Sequence, residues 1–364
     1  MASKKKVFIT DCEGPVSKND NAFELTSHYI PQGDIFFRKL SRYDDVLADI
    51  IKKPGYKAGN TLCLILPFLK AYGVSNDVMR SFSRKTLTLM KDSIESLNFL
   101  KNLLPSYIVS TSYEHYIKAL CEAIGFPVEN TYSTKVDIDK YELSEQERHQ
   151  LLNIVNVVLT LPDIEIPNTA LSIEDLPQPS RFAVNKLNEI FWSHIAKMSC
   201  STMLSEVKVV GGEEKANAIK EIVAKEGCEI SDVIYFGDSI TDVEAFKLVR
   251  ENGGLAVSFN GNEYAIREAQ LAILSETAAS IPLITLLFMK YGREKLCKLL
   301  SKGEDITTLI DEAITLGLTG KLAKALKSSY VKIELITQNN KEKLSLESSS
   351  FRKKVRGVAI GGLG

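Results

Sequence analysis

The chain has 364 residues, 45% hydrophobic and 25% charged, with a formal net charge of −1. That length predicts two or three structural units with a sizeable core. The near-zero charge excludes a global field that would draw in nucleic acid or a membrane surface. Six cysteines, at 12, 63, 121, 200, 228 and 297, form no Cys-x-x-Cys pair and have no His-x-x-x-His companion. This is the usage expected of free thiols in a reducing compartment, not of a disulfide framework or a zinc site. The longest apolar stretch, 278–289, is interrupted by Pro282 and is too short to span a bilayer. MASKKK leads straight into a strand-like run with no secretory pattern, so a cytoplasmic chain is expected.

The first apolar run is VFIT at 7–10. A long segment, 17–100, then reads as helical throughout. In FFRKLSRYDDVLADII, Phe36, Leu40, Tyr43, Leu47 and Ile50 recur with the spacing of one helix face. TLCLILPFLKAYG and SNDVMRSFSRKTLTLM continue that character. YIVS at 107–110 is the second strand, followed by a helical pattern that stops at Gly125. NTYSTKV at 130–136 is a weaker strand. The rhythm then breaks again at 139–205, where SEQERHQLLNIVNVVLTL is followed by Pro162, Pro167, Pro177 and Pro179 and by FAVNKLNEIFWSHIAKM. EEKANAIKEIVAKEG stops at Gly227 before VIYFG at 233–237. TDVEAFKLVRENGG stops at Gly253-Gly254 before LAVSF at 255–259. After 291 come two or three short amphipathic helices. The last stretch, LESSSFRKKVRGVAIGGLG, shows no period and is expected to be loosely ordered.

Buried-looking strands that alternate with helices predict an α/β fold with a doubly wound parallel sheet. Residues 1–16, 101–138 and 206–290 make the core. Residues 17–100 form a helical insertion, 139–205 an accessory insertion and 291–364 a helical C-terminal extension.

Strand ends carry the chemistry. Asp11 and Glu13 sit two apart after VFIT and point the same way, with Cys12 opposed. VIYFG ends in GDSITD, where Asp238 and Asp242 are one helical turn apart. Such carboxylates serve equally as helix caps or as hard oxygen ligands for a divalent cation. Ser110, Thr111 and Ser112 close the second strand ahead of a helix, which suits either a cap or an anion cradle. Lys215 heads a helix, where it opposes the dipole unless it has a partner.

In order and placement, Asp11-x-Glu13, Ser110, Lys215 and Asp238-x-x-x-Asp242 resemble the motifs of the haloacid dehalogenase-like (HAD) phosphohydrolases. The phosphoserine-phosphatase-like branch is the nearest likeness, through VSTSYEHY, GDSITD and VSFNGNEYAIREA. Lys215 precedes Asp238 by 23 positions, the spacing of that family. These motifs cover about half of the chain.

The resemblance implies a Rossmann-like core, a helical cap at 17–100 and Mg²⁺ as cofactor. It makes Asp11 a nucleophile that forms an aspartyl-phosphate and binds the metal. Glu13 would be the general acid/base, with its backbone carbonyl on the metal. Ser110, with Thr111, would hold the phosphate, and Lys215 would neutralise charge. Asp238 would be a metal ligand, and Asp242 would orient a metal-bound water or Lys215. The expected activity is a phosphatase acting on a small phosphorylated metabolite. A phosphotransferase or a non-catalytic regulatory subunit of the same fold is the alternative. Neither nucleic acid nor a membrane span is expected, and no motif identifies a protein partner.

Two positions depart from the usual Asp-x-Asp-Gly-Thr. Glu13 adds a methylene, and Pro15 removes a donor and fixes φ. A carboxylate at 13 argues against a dehalogenase. Arg38, Arg42, Lys52, Lys53, Arg80 and Arg84 are the expected cap residues for reading an anionic substrate. The histidines at 28, 115, 149 and 194 have no metal-like grouping.

Overall fold

The structure is a computed structural model that describes residues 5–167 and 169–363. Seven short runs pair into one sheet: β1 (Val7–Thr10), β2 (Ser106–Tyr113), β3 (Thr131–Thr134), β4 (Val233–Gly237), β5 (Leu255–Phe259), β6 (Leu271–Ser275) and β7 (Val331–Leu335). The order is β3-β2-β1-β4-β5-β6-β7. The first six are parallel, and β7 runs antiparallel to β6. β1, β4, β5 and β6 are buried along their whole length, which is why they read as continuous apolar runs without alternation. Strand order reverses at β1, so the carboxyl ends of β1 and β4 lie at the topological switch point, the place where open α/β sheets bind ligands.

Helices α1 (Asn21–Tyr29), α2 (Gly33–Asp45), α3 (Thr61–Ala71) and α4 (Asn76–Thr86) follow β1, and α5 (Ser93–Leu103) leads into β2. The helical run of the sequence ends at Thr86, and Leu89 bridges to Ser17 in extended chain. α6 (Glu114–Ile124) follows β2 and ends at Gly125, whose φ of +63° suits a residue without Cβ. The second insertion folds as α7 (Glu145–Thr160), with a Ser144–Glu147 capping box, α8 (Gln178–Glu189) and α9 (Ser201–Glu206).

These two insertions share one hydrophobic core. Phe36, Leu40, Tyr43 and Phe68 from the first pack with Val155, Leu187 and Phe191 from the second. The Phe68 and Phe191 rings lie 6.1 Å apart, and Trp192 Nε1 donates to Tyr43 Oη at 2.8 Å. Lys39 donates to the Leu161 carbonyl and pairs with Asp163 at 2.7 Å. Two separate units were expected from the sequence. Each insertion has an apolar face with too little of its own chain to cover it, so each completes the other.

α10 (Glu213–Glu226) precedes β4, and α11 (Val243–Glu251) and α12 (Glu263–Glu268) pack around β5. The C-terminal extension is not a loose appendage. α13 (Ser280–Leu300), α14 (Ile306–Thr315) and α15 (Gly320–Lys327) cover the sheet face that carries Phe8, Ile108 and Ile234. α16 (Lys341–Arg356) and the short α17 (Val358–Gly361) follow β7. The expectation of a loosely ordered end is corrected. Leu344, Ser348, Arg352 and Arg356 recur every four residues and are all buried. That stripe was missed because only its first member is apolar. No single helix among the described residues is long and apolar enough to cross a membrane.

Candidate active site

β1 delivers Asp11 and β4 delivers Asp238 to adjacent points, because Asp11 N donates to the Phe236 carbonyl at 2.8 Å across the β1–β4 pair. The loop after β1 turns back at once. Val16 N and Ser17 N both donate to the Cys12 carbonyl, and Gly14 N donates to the Ser17 carbonyl. Gly14 has φ +103°, and a Cβ there would lie 2.2 Å from Asp238 Oδ2. The glycine therefore makes both the turn and the close approach of the second carboxylate. Pro15 sits buried inside this turn, between the residues whose amides close it.

Lys215 is fully buried and bridges Asp11 Oδ2 at 2.7 Å and Asp242 Oδ1 at 2.8 Å. The sequence placed it at a helix head, where the dipole disfavours a cation, and two carboxylates offset that. Asp242 is saturated. Its Oδ1 also accepts from Tyr235 Oη at 2.6 Å, and its Oδ2 accepts from Asp238 N at 2.9 Å and Ser239 N at 3.0 Å. A Cβ at Gly237 would lie 2.4 Å from Asp242 Cγ, so only glycine admits this packing. Of the two expected roles for Asp242, the geometry satisfies the holding of Lys215.

Asp11, Asp238 and Asp242 each place a carboxylate oxygen within 4.8 Å of the others. Burial pushes the Asp11 carboxyl up to about 7, against the pull of Lys215 and with the help of Asp242 and Asp238. Burial alone would lower Lys215, but the adjacent carboxylates outweigh it and the net shift is upward. Glu13 Oε1 accepts from Asn21 N at 2.8 Å, and burial, joined by the nearby Asp20 charge, holds its carboxyl well above the usual range. The extra methylene thus carries the carboxyl to the first turn of α1.

Ser110 is buried, and its Oγ donates to Ser112 Oγ at 3.2 Å. Thr111 Oγ1 is buried with no partner. Asp11, Glu13, Ser110, Thr111 and Asp238 line a common cavity of about 100 Å³, closed from the helical side by Phe37, Ser41, Asp44, Asp45 and Thr61.

None of the six basic residues expected to read substrate lines this cavity. Arg38 pairs with Asp34, Arg42 with Asp45, Arg80 with Asp77 and Arg84 with Glu122. Lys53 lies 3.7 Å over the Trp192 ring. The guanidinium groups on the lining come instead from α16. Arg356 Nη1 pairs with Asp238 Oδ2 at 2.8 Å, and Arg352 pairs with the same oxygen. Arg352 also donates to the Asp238 carbonyl at 3.2 Å, while Arg356 donates to the carbonyls of Lys18 and Asn19. Sequence reading missed both arginines, and Tyr235. The four-residue spacing of the α16 stripe marks a helix face, but with one apolar member it does not say that this face is buried. His115 Nε2 lies 3.2 Å from Asn76 Oδ1, and among the described residues no histidine belongs to a group that could hold a metal.

The model of the haloacid dehalogenase-like hydrolase family matches residues 63–281, more than half of the chain. The chain is similar to the gene product AF1437 from Archaeoglobus fulgidus, with 28% identity over 99% of each chain and a TM-score of 0.79. Likeness to a substrate-bound phosphoserine phosphatase is distant, with 13% identity over 80% of this chain and 99% of that one and a TM-score of 0.44. No curated protein is significantly similar in sequence. On the family match and the shared architecture, the chain belongs to the haloacid dehalogenase-like hydrolases.

Proposed function

We propose that the chain is a Mg²⁺-dependent phosphatase that hydrolyses a small phosphomonoester through an aspartyl-phosphate on Asp11. The observation that carries this reading is Lys215, buried and bound at once to Asp11 and Asp242. A structural ion pair needs one carboxylate. A lysine clamped between two, one of them otherwise saturated, is aimed at the other.

The donor set fits a hard divalent cation, since three carboxylate oxygens lie within 4.8 Å of one another and, among the described residues, no histidine or cysteine joins the group. Asp11, Asp238 and the Glu13 carbonyl would hold it, with Asp242 acting through Lys215. When bound, Mg²⁺ supplies positive charge that offsets the repulsion between an attacking carboxylate and a phosphate. Like charges about 4 Å apart repel by roughly 4 kcal/mol at an effective dielectric near 20, so this offset is a large part of the catalysis.

The remaining roles follow from the chain's own groups. Asp11 attacks phosphorus, and the P–O bond to the leaving group breaks. Glu13, whose carboxyl is held well above the usual range by burial and the Asp20 charge, gives a proton to the leaving oxygen and then takes one from the water that hydrolyses the acyl phosphate. Ser110 and the unpartnered Thr111 hydroxyl donate to phosphate oxygens. The cavity of about 100 Å³ lies below the usual range of ligand sites and suits a small metabolite. The test is Mg²⁺-dependent hydrolysis of an aryl phosphate by wild type and Asp11→Asn. The variant is expected to lose about a thousandfold or more, and equal rates would sink the assignment.

A further inference from the structure

We propose that α16 is a latch on the metal site: Arg352 and Arg356 stand in for the divalent cation on Asp238, and cation loading and the seating of α16 compete. The inference rests on the metal reading given above. Its first support is a shared oxygen. Asp238 Oδ2 accepts from both guanidinium groups. A carboxylate oxygen has two lone pairs, and here both are in use. A cation that takes this oxygen displaces at least one arginine, and one that takes Oδ1 would lie beside two guanidinium charges that repel it.

The second support is the charge balance. Asp238, Arg352 and Arg356 are all buried. A buried carboxylate stripped of its partners is strongly unfavourable, so Asp238 releases the arginines only to another positive charge. The exchange is therefore coupled.

The third support is how α16 is held. Along its buried stripe only Leu344 is apolar, and Leu346 is 76% exposed. Leu344 packs with Ile266, Ala272 and Leu274, Ser348 Oγ donates to the Gly261 carbonyl at 2.6 Å, and Arg352 and Arg356 make the bonds given above. The buried stripe from Ser348 to Arg356 is thus seated by polar bonds, those to Asp238 among them. Arg352 is also imperfectly satisfied where it lies, since its Nε is buried with no partner. An unpaired buried donor weakens the hold of a group on its site.

Mn²⁺ affinity, measured by calorimetry, tests the latch in wild type, Arg352→Gln, Arg356→Gln and Asp238→Asn. Both glutamine variants are expected to bind Mn²⁺ about tenfold or more tightly than wild type, and Asp238→Asn to lose binding. Independently, Mn²⁺ is expected to speed amide exchange across 341–356 in the wild-type chain, and this arm stands even if a variant fails to fold. Equal or weaker Mn²⁺ binding by the folded arginine variants, or exchange that is slowed or unchanged, overturns the latch alone. Mn²⁺ binding absent from wild type and every variant overturns the metal assignment and the latch together.

Discussion

Asp238 and Asp242 stand one helical turn apart in one motif, yet they are held in opposite ways. Asp242 takes two backbone amides from its own turn, the Tyr235 hydroxyl and Lys215, all on β4 or beside it. Asp238 is held at its carboxylate by two guanidinium groups more than a hundred residues away in sequence. The first arrangement is local, neutral in most of its donors and rigid. The second is long-range, charged and exchangeable. A carboxylate that orients another residue is best saturated, whereas one that binds a cation must keep its partners replaceable.

Removing Lys215 is the most severe way to break the rigid half. Lys215→Met leaves Asp11 and Asp242 buried without a counter-charge, and chemical denaturation should register a loss of about 3–5 kcal/mol. Next come the two glycines that press on the aspartates. Gly237→Ala pushes a methyl against Asp242, which has no slack, and should cost about 1–3 kcal/mol in the same measurement. Gly14→Ala meets Asp238 at a positive φ and should cost a similar 1–3 kcal/mol or so. The sharper difference lies in Mn²⁺ affinity. It should fall more for Gly14→Ala, because the carboxylate it displaces is the one offered to the metal.

The exchangeable half yields smaller numbers. Ser348→Ala removes the bond to Gly261 and should cost about 1 kcal/mol, read as faster amide exchange in α16. Asp45, on the helical wall of the cavity, gives a pH signature. Burial pushes its carboxyl up to about 7, against Arg42. Between about pH 4 and that value the folded chain keeps a proton that the unfolded chain has released, so stability falls as pH rises through the window. Thermal melts of Asp45→Asn should show that fall reduced, by at most about 1.4 kcal/mol per pH unit. At the bottom of the scale, Arg38→Ala and Arg84→Ala should leave hydrolysis within about twofold, since both are exposed surface pairs.

The sheet was legible because its central strands are short apolar runs that end in acidic or hydroxyl residues, and four of them fall within a few residues of the expected limits. LAILS at 271–275 is equally apolar and ends in Ser275 and Glu276, but it lies close to the apolar run that opens α13, which masks it as a separate strand. β7, VKIEL, is a half-buried edge strand whose lysine and glutamate read as surface. Asp11, Ser110, Lys215, Asp238 and Asp242 could be placed because each closes a strand or opens a helix. The basic residues could not. A charged side chain on a helix reads the same whether it meets solvent, as Arg38 does, or a buried carboxylate, as Arg352 does. Only the three-dimensional partner separates them.

The contact between Arg356 and the carbonyls of Lys18 and Asn19 ties the far end of the chain to the loop that follows β1. During synthesis, Asp238 is therefore made more than a hundred residues before its guanidinium partners, whereas the partner of Asp11, Lys215, is already in place. Until α16 is complete Asp238 has neither guanidinium partner, so a chain cut before residue 341 would strip a buried carboxylate of both counter-charges.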